Sequence, residues 1–153
     1  MAEVQEIRTL LAPMPGAGVL LPGSVVAEVI NFTEPEPYRQ APPWLLGELR
    51  WNAWTIPLVN LSLLAGVSDD EMLPERSRVL VVKTLSDASS VMHVGIVING
   101  LPRLKRISAA DLVETQRSDV PGIFSEVSVD DQPALIPDLE QLAETIEQAV
   151  YRH

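Results

Sequence analysis

The chain has 153 residues, 11 of them Lys or Arg and 21 Asp or Glu, giving a formal net charge of −10. A chain this long fits one domain and buries about 68–70% of its unfolded surface, and 46% apolar residues exclude a disordered polymer. The acidic balance argues against broad nucleic-acid or anionic-membrane binding, and the lack of cysteine excludes disulfides, thiolate zinc sites, cysteine nucleophiles and iron–sulfur clusters and fits a reducing cytoplasm.

Thr9 to Ala27 holds no charged side chain. Pro13, Pro15 and Pro22, with Gly16, Gly18 and Gly23, would break a membrane helix several times, so direct membrane insertion is not expected. Glu3, Glu6 and Arg8 at the start do not suit a secretory signal. Without export, Asn31-Phe32-Thr33 and Asn60-Leu61-Ser62 are chance matches to a glycosylation pattern. Ile7–Ala12 and Gly18–Leu21 flank the turn cluster Pro13-Met14-Pro15-Gly16, which predicts a hairpin. Val25, Val26, Val29 and Ile30 follow. Their spacing fits a helical turn and their β-branching fits a strand, which leaves the choice open.

Four prolines between Pro35 and Pro43 stiffen a surface loop. Gly47 then opens a long extended segment, Glu48–Leu61. Pro57 inside it points to an edge strand or a bulge. A short helix over Leu61–Ala65 stops at Gly66, and Ser68–Glu75 is an acidic loop. Val79–Val82 and His93–Ile98 are short apolar runs that read as strands. Asn99-Gly100 is a tight-turn pair, although Leu101-Pro102-Arg103-Leu104 also fits a chain that continues extended. Leu112–Ser118 is polar. Ile123–Val129 alternates, Asp130-Asp131-Gln132 turns and Ala134–Ile136 returns. The clearest helix starts after the N-cap Asp138, with Gln141 as a weak capping box. Leu139, Leu142, Ala143, Ile146 and Val150 form its apolar stripe, and Glu140, Glu144 and Glu147 its polar face. Many short runs between Gly/Pro turns predict a mostly β fold.

Catalytic groups are sparse. Of the two histidines, His93 lies in an apolar strand and His153 is the last residue. There is no Gly-x-Ser-x-Gly turn and no phosphate-cradling loop ending in Lys-Ser/Thr. Asp69-Asp70-Glu71 and Asp130-Asp131 lack the alternating oxygen spacing of a calcium loop and read as solvated turns. No cofactor and no metal site are expected. Arg103, Lys105 and Arg106 form the one basic cluster. In a strand 103 and 105 share a face and 106 points away, which fits a solvated edge or a small patch for an acidic partner. Trp44, Trp51 and Trp54 fall within eleven residues, which fits core packing and a binding surface equally, since tryptophan is enriched at interface hot spots. An unbulged strand would put Trp51 and Trp54 on opposite faces.

Leu46-Gly47-Glu48-Leu49-Arg50-Trp51-Asn52-Ala53-Trp54-Thr55-Ile56-Pro57-Leu58-Val59-Asn60-Leu61 resembles the central stretch of the CheW-like family, in which Asn-Leu-Arg-Gly precedes Ile-Pro-Val-Val-Asp-Leu. Val25-Val26-Ala27-Glu28-Val29 is similar to the family's Val-x-Glu-Ile element, and Pro42-Pro43 to its proline-bearing loop. Gly95-Ile96-Val97-Ile98-Asn99-Gly100-Leu101 resembles its Gly-Ile-Val-Val-Asp-x-Val strand, and Ala134-Leu135-Ile136-Pro137-Asp138-Leu139 its last strand and helix start. The order and spacing of these stretches carry the likeness across most of the chain. Three polar markers differ: the family's Arg-Gly falls on Asn52-Ala53, and its two aspartates fall on Asn60 and Asn99. The chain thus resembles a divergent member, akin to ChpC-type auxiliary adaptors of pilus-related chemosensory systems.

The resemblance implies a single domain of two five-stranded, SH3-like β subdomains that share a core and end in a helix. It implies a non-catalytic cytoplasmic adaptor whose partners are a chemoreceptor's cytoplasmic tip and the regulatory domain of a CheA-type histidine kinase. By position, Val26, Glu28, Val29, Gly47, Asn52 and Leu104 would line or flank the receptor groove, with apolar anchors and polar markers of the kind a helical tip needs. The alternative from the residues themselves is a small-ligand-binding β-barrel with the tryptophans at its mouth. An enzyme working through carboxylates is disfavoured, because the acidic residues cluster in turns and on a helix exterior.

Overall fold

A computed structural model describes residues 6–69, 74–87 and 89–150. Glu3, Asp70, Glu71 and His153, named above, lie outside the described residues. The fold is mostly β, two subdomains built on two sheets, one of five strands as the resemblance implied and one of six in place of five. Sheet A comprises β1 (Glu6–Ala12), β2 (Gly18–Pro22), β8 (Arg103–Ser108), β9 (Leu112–Arg117), β10 (Ile123–Val129) and β11 (Gln132–Pro137), in the order β8-β1-β2-β11-β10-β9. Sheet B comprises β3 (Val26–Asn31), β4 (Leu45–Trp51), β5 (Trp54–Val59), β6 (Arg78–Lys83) and β7 (His93–Ile98), in the order β3-β6-β7-β5-β4. Two α-helices complete it, α1 (Leu61–Ala65) and α2 (Leu139–Val150).

Strand alternation divides the buried side chains into three clusters. Leu80 and Val82 of β6, with Val94, Ile96 and Ile98 of β7, meet Ala12, Val19, Leu21 and Leu135 of sheet A in a core shared by both sheets. Their neighbours Val79, Val81 and Val97 point the other way, into an interior of sheet B with Leu49, Ile56 and Leu58. Leu11, Leu20, Ile107, Val127, Val129 and Ala134 fill the matching interior of sheet A. Val79–Val82 is apolar throughout because both faces of β6 are covered, so no position is left for a polar side chain. Both interiors being occupied by buried side chains weighs against the ligand-barrel alternative.

The α2 stripe closes the shared core from outside, with Leu142, Ala143 and Ile146 fully buried. Asp138 Oδ1 accepts from the Gln141 amide at 3.0 Å as the N-cap. Gln141 Oε1 accepts from the Gly122 amide at 2.8 Å, so in place of a reciprocal capping box it pins the β9–β10 connection to the helix. The predicted β1–β2 hairpin is present, with Ala12 opposite Val19. At α1, Asn60 Oδ1 accepts from the Leu63 amide at 3.1 Å, and Gly66 closes the helix at φ +72°. An asparagine and an aspartate cap a helix about equally well, so the neutral residue at 60 keeps that role.

Two expectations are corrected, and one reading that the residues left open is decided. Glu48–Leu61 is not one extended segment: Asn52 and Ala53 at φ +48° and +65° fold it into the β4–β5 hairpin. Pro57 is neither on an edge strand nor at a bulge, since β5 lies between β7 and β4 and Pro57 pairs in register with Glu48. The parallel ladder to β7 starts one residue later, at Leu58, so no bridge to β7 depends on the missing N–H. Asn99-Gly100 does not join a hairpin, because β7 and β8 belong to different sheets. β9 also forms where only polarity was legible. It is one of the two outer strands of sheet A, and five of its six side chains are exposed.

Candidate functional site

Gly23–Val25 makes one 3-10 turn, and Val26 then enters β3, one of the two outer strands of sheet B. Val26 opposes Val82, and Glu28 opposes Val81, so a bulge adds one residue to β3 between them. Val29 then opposes Leu80. Val26 and Val29 therefore share a face despite a spacing of three, and both pack half-buried against the shared core. This bulge is the physical reason that the valine spacing imitates a helical turn in the sequence.

Glu28 faces the other way, with Ile30, toward the interior of sheet B. The same parity places Lys83, His93, Trp54 and Trp51 on that side, one from each remaining strand, as a rim around the end of the interior. Trp51 Nε1 donates to Glu28 Oε2 at 2.6 Å. The His93 ring lies 5.0 Å from Trp51 and 6.4 Å from Trp54 between centroids. Desolvation lowers the His93 pKa below its ordinary 6.5, and the Lys83 ammonium lowers it further, so the ring is neutral at pH 7 and packs as an aromatic.

Trp51 and Trp54 are direct cross-strand partners on one face, which corrects the opposite-face expectation. The cause is the two-residue turn, which reverses the chain between them. Trp51 packs partly on the interior core, while Trp54 is 56% exposed. Trp44 stands apart: it packs on the shared core, and its carbonyl accepts from the Asn60 amide at 2.8 Å. Asn52 is exposed at the hairpin tip.

Gly47 is buried on β4 at φ +147°, and a Cβ there would lie 2.4 Å from the Glu36 carbonyl oxygen. The missing side chain lets the proline-bearing loop lie on β4, where Glu36 and Glu48 exchange backbone hydrogen bonds of 3.0 and 2.8 Å. Leu104 belongs to the other sheet. It lies on β8, the other outer strand of sheet A, and is 81% exposed. It opposes Leu10 of β1, two residues before Ala12 of the shared core, and so sits where that face runs out of cover. The structure thus gathers Glu28, Trp51 and Trp54 at one rim, sets Val26 and Val29 on the core-facing side of one outer strand, and sets Leu104 on the core-facing side of another.

The basic cluster divides as its spacing predicts. Lys105 reaches Asp130 of the β10–β11 turn in an ion pair, and Arg106 lies on the opposite face, across from Arg8. Sequence reasoning missed Arg8, Leu10 and His93 as neighbours of these groups, because only cross-strand register brings them there. Among the described residues, no three of His, Asp and Glu gather as metal ligands, and no helix is long and apolar enough to cross a membrane.

Comparison with known proteins gives the arrangement a lineage. Residues 2–147 match the family model described as the CheW-like domain. The fold is similar to a crystal structure of the scaffolding protein TtCheW from Thermoanaerobacter tengcongensis, at 14% sequence identity and a TM-score of 0.69, covering 87% of this chain and 89% of that one. No curated protein sequence matches the chain. With a family match spanning nearly its whole length, the chain belongs to the CheW-like family.

Proposed function

We propose that this chain is a cytoplasmic adaptor that couples the tip of a chemoreceptor to the regulatory domain of a CheA-type histidine kinase, in a pilus-related, ChpC-type system. The receptor tip lies between the outer strands β3 and β8. The observation that carries this reading is that both strands present apolar side chains on the faces that turn toward the shared core: Val26 and Val29 on β3, Leu104 on β8. The two strands are also close in the chain's path. Pro22 opposes Thr9, Gly23 passes the Arg8 carbonyl, and Val26 follows three residues later. An amphipathic helix laid between them would cover the leucine and the valines together.

The test is co-purification of the full chain with the kinase regulatory domain and, separately, with a receptor signalling fragment from the same organism. No complex at tens of micromolar with folded partners overturns the reading. Val26→Glu should abolish receptor binding and leave kinase binding and the circular dichroism spectrum unchanged. If Val26→Glu unfolds the chain, Val26 is a core residue and the groove assignment fails.

A further inference from the structure

Arg106 lies directly opposite Arg8 across the β8–β1 ladder, and Leu104 opposite Leu10. Cross-strand partners share a face, as do side chains two apart on one strand. The four form one patch, two guanidinium groups beside two leucines, at the uncovered edge of the sheet A face that turns toward the shared core. Arg8, Leu104 and Arg106 are exposed, and Leu10 is half-buried. A surface hollow of about 420 Å³ runs along the edge of these strands, lined by Arg8, Leu104 and Arg106 of this face and by Thr9 and Lys105 of the other.

Like charges placed directly opposite disfavour the fold, and a chain with 21 carboxylates has ample means to neutralise them. Among the described residues it does not. The ion pairs there are Lys105–Asp130 and Arg117–Glu114, and neither Arg8 nor Arg106 takes part in one. Glu6, two residues before Arg8 on the same face, pairs with neither. A positive patch is thus maintained at this edge of a strongly acidic chain.

We propose that Arg8 and Arg106 read paired carboxylates on the partner seated between β3 and β8. The occupant is a segment of the receptor tip that carries at least two Asp or Glu residues next to apolar side chains, which cover Leu10 and Leu104. This rests on the adaptor reading above and names the chemistry of its partner. Guanidinium forks hold carboxylates in bidentate geometry. The surrounding negative charge repels such a segment elsewhere, so the patch sets orientation as well as affinity.

The test is calorimetric titration of the full chain with the cytoplasmic signalling fragment of a chemoreceptor from the same organism. Arg8→Gln with Arg106→Gln removes both charges and should raise Kd about tenfold or more, and flatten the salt dependence of Kd between about 50 and 500 mM NaCl. Arg103→Gln, on the other face, should leave Kd within about twofold. Arg8→Glu with Arg106→Glu should abolish binding, and lysines in place of the fragment's carboxylates should restore it. Arg106→Lys keeps the charge without the fork and should give a smaller loss; it carries the test if the double variants unfold. A folded Arg8→Gln, Arg106→Gln protein that binds as tightly as the unaltered chain overturns the charge assignment and leaves the adaptor reading standing. An equal loss in Arg103→Gln also overturns it, since general charge would then be acting. Failure of the unaltered chain to bind the fragment overturns both.

Discussion

The Trp51 indole nitrogen donates to Glu28 Oε2 at 2.6 Å, which ties β4 to β3, the two outermost strands of sheet B. One side-chain bond thus bridges the open seam where the curled sheet meets itself. Trp51→Phe keeps most of the ring packing and removes the donor. It should cost about 1 kcal/mol in urea unfolding, the usual net worth of one hydrogen bond. Glu28→Gln keeps an acceptor and should cost less. Equal stability of Trp51→Phe and the unaltered chain would show that the bond does not hold the seam.

Ala53 sits at φ +65° in the β4–β5 turn, on the position where the family's pattern has glycine. A side chain in that region costs about 1–2 kcal/mol, and a glycine's extra freedom in the unfolded chain returns part of that. Ala53→Gly should therefore raise stability by about 0.5–1 kcal/mol. Thermal unfolding checks the sign, and a fall in Tm would contradict the turn geometry.

Gly47→Ala should act in the opposite direction. Its Cβ would meet the Glu36 carbonyl oxygen at 2.4 Å in a backbone conformation that glycine alone adopts freely. The expected loss is about 2–4 kcal/mol. The proline loop should separate from β4, which limited proteolysis between residues 33 and 43 would detect as faster cleavage. Unchanged cleavage and stability would mean that the loop does not depend on this close approach.

His93 provides a pH signature. Burial, and then Lys83, depress its folded-state pKa below the unfolded value of 6.5. The unfolded chain therefore binds more protons between those two values, and stability falls as pH drops through 6.5 toward the folded pKa. The contribution is fully present above pH 6.5. His93→Phe should remove this part of the Tm decline between about pH 7.5 and 5. In the unaltered chain, tryptophan fluorescence should fall over the same range as imidazolium forms beside Trp51. Parallel Tm profiles for the two proteins would refute the assignment.

Much of the fold was legible because it is written in local chemistry. Asp138 and the Leu142–Ile146 stripe mark α2, Gly66 stops α1, and the proline cluster at 13–16 separates β1 from β2. Where local reading failed, tertiary pairing had overridden it. Asn52-Ala53 is a poor turn pair by composition, yet the interior packing of Leu49 against Ile56 holds the hairpin around it. β9 has almost no apolar pattern, because an outer strand with solvent on both faces needs none; its backbone pairing with β10 makes it a strand.

The candidate site divides in the same way. Val26, Glu28 and Trp51 could be named from their order in the chain, but their directions depend on a bulge and a turn that no spacing rule contains. The amino-acid sequence by itself determined the family, the mostly β character, the closing helix and the sparse catalytic equipment, since each follows from composition or from order along the chain. Only the tertiary structure decided that Trp51 and Trp54 share a face, that Gly47 is a backbone contact, and that Arg8 stands opposite Arg106. Strand register joins residues nearly a hundred positions apart, and a shift of one residue in that register would send every one of those side chains to the other face.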